Sequence, residues 1–94
     1  MKISGFFWLD DIVQKISWKH SVSQEEISEV FANSPRIYFV EKGNRKDENV
    51  YVAFGQTDGG RYLVAFFIYK KNRQALILSA RDMTRAERRK YAKK

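Results

Sequence analysis

The chain has 94 residues, of which 44% are hydrophobic and 31% charged, with a formal net charge of +7, one histidine and no cysteine. That length suits one domain burying about 60 to 65% of its unfolded surface, and the missing cysteines exclude disulfides and thiolate metal sites and fit a reducing, cytoplasmic setting. The longest apolar run, Tyr62 to Tyr69, is far short of the ~20 residues that cross a bilayer, and no signal-peptide pattern opens the chain, so no membrane role is expected.

In chain order, Ile3 to Trp8 can form a short edge strand, weakened by Gly5. Asp10 and Asp11 open a helix whose Ile12, Val13 and Ile16 share a face and whose last turn holds Lys19 and His20. A second helix starts with a capping box, Ser23 with Glu26, and a hydrophobic staple, Val22 with Ile27. It ends before Pro35, which disfavours helical geometry in the preceding residue. Four strands follow: Arg36–Val40, Val50–Gly55, Arg61–Lys70 and Ala75–Ala80. A loop from Glu41 to Asn49 separates the first two, the stretch "TDGG" makes a tight hairpin, and Asn72 turns the last pair. Thr84 and Glu87 form a second capping box, opening a C-terminal helix. The expected fold is therefore α+β: two N-terminal helices, a four-stranded antiparallel meander and a basic C-terminal helix. The Arg61–Lys70 strand is apolar on both faces, so it needs cover from the last helix or from a partner protein.

Charge is concentrated at one end. Residues 81–94 hold seven basic and two acidic side chains, which points to a polyanion or an acidic protein as partner, with a solvated basic tail as the plain alternative. Counting residues back from a turn at Lys71 and Asn72 sets Arg61 opposite about Asp82, so Arg61 and Arg81 should lie close along one end of the sheet. The last helix starts there with free N–H groups that favour anions, and two guanidinium groups could clasp a phosphate. Pattern alone leaves their faces open. Arg81 could instead pair with Asp82 or Glu87, and Arg61 could be a plain strand start. His20 is either a proton-transfer group or a structural histidine, and Tyr91 either anchors the last helix or offers its hydroxyl to a ligand. The "GQTDGG" stretch joins two strands and lacks the Lys and Ser or Thr of a phosphate loop. The carboxylate pairs Asp10–Asp11 and Glu25–Glu26 sit at helix starts, where dipole and capping roles suffice, and no serine has a nucleophile-elbow context.

Four stretches together resemble the BrnT-type toxins of the RelE-like ribonuclease superfamily: Lys19 to Glu26, Val30–Phe31 with Pro35, Gly55 to Val64, and Ser79 to Tyr91. The resemblance implies a RelE-like toxin that cleaves RNA without a metal ion or other cofactor, and so inhibits translation and growth. It implies a BrnA-like antitoxin as partner, with operator DNA reached only through that antitoxin. Carried over by position, Arg61 and Arg81 would stabilise the phosphate and His20 or Tyr91 would transfer protons. Lys19, Arg85, Arg88 and Arg89 would hold RNA. The sequence departs from the family pattern at Leu9, Asn49, Ile68 and Leu76.

Overall fold

Residues 1–43 and 48–93 are described by a computed structural model. The middle of the loop expected between Glu41 and Asn49, residues 44–47, and Lys94 lie outside the described residues. The elements are β1 (Gly5–Phe7), α1 (Asp10–His20), α2 (Gln24–Ala32), β2 (Arg36–Glu41), β3 (Val50–Gln56), β4 (Tyr62–Tyr69), β5 (Gln74–Asp82) and α3 (Arg85–Ala92).

Both expected capping boxes form. The Ser23 hydroxyl accepts from the Glu26 N–H at 3.1 Å while the Ser23 N–H donates to the Glu26 carboxylate at 3.0 Å. Thr84 and Glu87 repeat the exchange at 3.1 and 2.8 Å. Each box satisfies donors that a helix start leaves open, typically worth about 1 kcal/mol. α2 stops where Ser34, the residue before Pro35, takes a left-handed φ of 52°.

The sheet has five strands in the order β1-β5-β4-β3-β2, which corrects the expected four-stranded meander. β2 to β5 are antiparallel neighbours, but β1 adds to β5 in parallel, pairing Gly5, Phe6 and Phe7 with Gln74, Ala75 and Leu76. Tertiary packing overrides the weakness Gly5 confers on so short a strand. Phe6 stacks on Trp8 and meets Phe31 edge-on, and Phe31 meets Phe67 in the same way, with centroids 5.1 to 5.3 Å apart. These rings tie β1 to α2 and the sheet centre.

The sheet is covered unequally. On one face α1 and α2 press Ile16, Val22, Ile27 and Val30 onto Ala53, Leu63, Ala65, Phe67 and Ile77, all buried. Gly55 allows this approach, since a Cβ there would lie 2.9 Å from a Val30 methyl carbon. On the other face α3 covers a smaller cluster of Val52, Val64 and Met83, with Phe54, Tyr62, Phe66 and Tyr91 partly buried around it. The doubly apolar β4 is thus enclosed by helices on both sides.

Two tight hairpins set the register. Gly60 donates to the Thr57 carbonyl with a φ of 91°, and Arg73 donates to the Lys70 carbonyl with a φ of 66°. Each makes a three-residue hairpin whose last loop residue is left-handed. The second corrects the expectation at Asn72, which instead braces the turn by accepting from the Gln74 N–H. A bulge in β5, between the residues opposite Phe66 and Phe67, adds a further shift. Asp82 therefore lies opposite Leu63, and Arg81 opposite Val64.

Candidate functional site

That register puts Arg61 and Arg81 on opposite faces of the sheet, because Arg61 is three positions, an odd number, from Val64, the partner of Arg81. The expected phosphate clasp between them does not form. Arg61 belongs to the α1–α2 face, where its guanidinium is wholly engaged. Its Nε and Nη2 donate to the two Asp82 carboxylate oxygens at 2.8 and 3.1 Å. Its Nη1 donates to the Ser21 carbonyl at 2.6 Å and to Glu26 at 3.1 Å, and Nη2 also donates to the His20 carbonyl at 2.8 Å. The hydrogen bonds to Asp82 push the Arg61 pKa upward despite its partial burial. Asp82 is lowered in turn, chiefly by Arg61 and slightly by the His20 charge. Glu26 is raised by desolvation, but the Ser23 N–H and Arg61 outweigh it and leave the carboxyl lowered. Arg61 is a structural clasp that joins the α1 C-terminus, the α2 cap and the end of β5.

His20 joins this cluster through its carbonyl, and the neighbouring Lys19 is exposed. They end α1, and neither lines the cleft on the other face.

On the α3 face Arg81, Arg88 and Tyr91 lie near one cleft, which Tyr91 lines. Arg81 Nη1 and Nη2 donate to the two Glu87 carboxylate oxygens at 2.8 and 3.0 Å, and Nη1 also donates to the Asp82 carbonyl. The bidentate pair fastens α3 to β5. Arg81 holds the Glu87 carboxyl down to about 2, helped by the Thr84 N–H. Next to the pair opens a cleft of about 410 Å³ lined by Arg36, Tyr38, Val52, Phe54, Glu87, Lys90 and Tyr91. The Arg36 guanidinium carbon is 6.0 Å from the Tyr91 ring centre, that of Arg88 is 4.3 Å from Tyr62, and that of Arg81 is 5.8 Å from Phe66. Tyr62 and Tyr91 meet edge-on at 6.0 Å, as do Tyr38 and Phe54 at 5.8 Å. Arg85 and Arg89 are exposed on α3 outside the lining.

Among the described residues no carboxylate pairs with Arg36, Arg88 or Lys90, so their charge is available to an anion, while Glu87 is neutralised by Arg81. The cleft has the volume of a nucleotide site and combines cations with flat aromatic rings, the composition that holds single-stranded nucleic acid. Among the described residues no group of three or more His, Asp or Glu side chains is placed to hold a metal ion, and no helix is long and apolar enough to cross a membrane.

Arg36, Tyr38, Phe54 and Tyr62 were not among the expected site residues. Alternation along β2 does place Arg36 and Tyr38 on one face. The eight-residue connection to β3 prevents counting which strand face they share with Tyr91.

Comparison with known proteins agrees with this architecture. The family described as "Ribonuclease toxin, BrnT, of type II toxin-antitoxin system" matches residues 8–87. Among solved structures, the Brucella abortus ribonuclease toxin BrnT superposes with a TM-score of 0.64 at 14% sequence identity, covering 86% of this chain and 97% of that one. At that identity the likeness establishes the fold. None of the curated proteins compared matches the sequence.

Proposed function

The chain belongs to the BrnT family of ribonuclease toxins of type II toxin-antitoxin systems, and from that premise we propose that it cleaves RNA in the α3-face cleft without a metal ion. The cleft itself carries this reading: Arg36 and Lys90 line it together with the Tyr38 and Tyr91 rings, Arg88 lies over the neighbouring Tyr62 ring, and Arg81 is held against Glu87 in the cleft wall. In this reading a phosphodiester lies between Arg36 and Lys90, and its bases stack on the tyrosines.

Cleavage requires the 2′-oxygen to attack phosphorus, the P–O5′ bond to break and the 5′-oxygen to gain a proton. Products are a 2′,3′-cyclic phosphate and a 5′-hydroxyl. Arg81 keeps its Nε–H and one Nη2–H free of Glu87, donors suited to the charge that builds on the phosphoryl oxygens. The Tyr91 hydroxyl supplies the proton to the leaving oxygen. Glu87 is an orienting group rather than a base, since a carboxyl titrating at about 2 accepts a proton weakly at neutral pH. The 2′-hydroxyl proton passes to water. Arg85 and Arg89 extend the cationic track along α3. The partner in the cytoplasm is a BrnA-like antitoxin that neutralises the toxin and carries the contact with operator DNA.

The test is cleavage of a defined RNA by purified protein in excess EDTA, comparing wild type with Arg81→Ala, Arg81→Lys and Tyr91→Phe. We expect cleavage by the wild type, a loss of about 100- to 1000-fold in Arg81→Ala and a defect in Tyr91→Phe that grows as pH rises. Salt-dependent RNA binding without cleavage in the wild type would make the domain a binding module and refute the catalytic reading.

A further inference from the structure

β2 is the exposed edge of the sheet. It pairs with β3 and, among the described residues, has no strand on its other side, so one row of its backbone N–H and C=O groups faces outward. The opposite edge, β1, is limited to three residues, a length that resists further pairing. β2 has six, and its middle is apolar and open: Tyr38 is 47% exposed, Phe39 55% and Val40 43%. Soluble proteins ordinarily shield such an edge with charges, prolines or a covering element. Among the described residues, Pro35 and Arg36 guard one end, and a register shift between Phe39 and Glu41 interrupts the other, leaving residues 36–39 in regular pairing with β3.

The two faces beside this edge differ in chemistry. On the α2 face, Ile37, Phe39, Phe31 and Tyr51 line an apolar groove of about 550 Å³. On the α3 face, Arg36 and Tyr38 open into the cationic cleft with Lys90 and Tyr91. A strand laid along β2 would send alternate side chains into these two depressions.

We propose that β2 is a docking edge on which an extended segment of a partner protein adds as a sixth strand, its side chains alternately apolar and acidic. The apolar set fills the groove beside Phe39, and a carboxylate on the other set reaches Arg36 and Lys90. RNA is the wrong occupant for this edge, because it cannot complete a backbone ladder. A second copy of this chain is disfavoured by charge. A two-fold axis through paired β2 strands is perpendicular to the sheet, so it would set two cationic clefts side by side on one face of a pair of chains each carrying +7. The inference deepens the toxin reading and rests on it for one consequence: a strand docked here places a carboxylate in the cleft assigned to RNA, so binding and neutralisation become one event.

The experiment uses the whole chain and synthetic peptides of about ten residues that alternate Glu or Asp with Val, Ile or Phe. Controls have the same composition with acidic and apolar residues in separate blocks. Affinity is measured by fluorescence anisotropy, and amide hydrogen exchange is followed residue by residue. We expect alternating peptides to bind, to slow exchange at alternate amides of residues 36–39, ahead of the register shift, and to compete with RNA. Phe39→Lys should weaken peptide binding by about tenfold or more and leave RNA cleavage intact. The proposal is overturned by absent binding, by equal binding of the blocked peptides, by protection confined to α1 or α3, or by β2 protection that appears without peptide as the chain self-associates. RNA cleavage without β2 protection by peptide would remove the docking edge alone. Protection at β2 in a protein that never cleaves RNA would remove the nuclease reading alone.

Discussion

Replacing Arg61 by alanine separates a structural role from a chemical one. The guanidinium is 28% exposed and bonds two carboxylates and two helix-end carbonyls. Hydrogen bonds to charged groups contribute about 1.5 to 3 kcal/mol each when sheltered. Asp82, with 60% of its side chain exposed, regains water on losing Arg61, so its share is discounted to below about 1 kcal/mol. Glu26 keeps the Ser23 N–H, which halves its loss. The His20 and Ser21 carbonyls lose a charged donor at the junction of α1 and α2. Together these give about 3 kcal/mol, a large part of the 5 to 15 kcal/mol typical of a domain. In urea denaturation the midpoint should fall by about 2 M for a slope near 1.5 kcal/mol per molar, with the slope unchanged. RNA cleavage per folded molecule should persist. A midpoint within about 0.5 M of the wild type, together with lost cleavage, would refute the assignment and return Arg61 to the RNA.

Acid should release α3. Glu87 titrates at about 2 in the folded chain against a usual 4.5, and Asp82 and Glu26 are also lowered. Their stabilisation is therefore complete above the unfolded values and is lost as pH falls from near 4.5 toward 2, with up to about 3 kcal/mol attributable to Glu87; urea midpoints measured between pH 6 and 2 check this. In RNA binding, Arg36, Arg85, Arg88, Arg89 and Lys90 predict a slope of log affinity against log salt of about −3.5 for single-stranded RNA, reduced by about 0.7 for each cation replaced by alanine. Gly55→Ala should destabilise by about 1 to 3 kcal/mol, because the added methyl meets the Val30 side chain and carbonyl; thermal melting reads the loss. Arg73→Gly should raise stability by about 1 kcal/mol by removing a left-handed non-glycine residue, and an unchanged midpoint would refute that strain.

Much of the local structure was written in short-range signals. The Ser23–Glu26 and Thr84–Glu87 boxes, the halt before Pro35 and the glycine hairpin all depend on neighbours within five residues, and each appears where those neighbours predict. Failures came from longer-range effects. The short edge strand in Ile3–Trp8 was expected, but not its parallel pairing with the distant β5, which the Phe6, Trp8 and Phe31 rings hold. Two one-residue shifts, at Arg73 and at the β5 bulge, moved Asp82 from Arg61 to Leu63 without changing which face it occupies. The Arg81–Glu87 pair was legible as the structural alternative for Arg81, because Glu87 lies six residues away on the next element. Arg36 and Tyr38 became part of the same cleft only through β2–β3 pairing, which the long connection conceals.

α3 contributes no fully buried side chain. Its grip on the sheet comes from one guanidinium–carboxylate fork and the edge of a tyrosine ring, so this helix is the segment whose detachment costs least. It also forms one wall of the cavity. Warming should therefore dismantle the pocket while the strands stay paired, and catalytic lifetime would be governed by this flap rather than by melting of the whole domain.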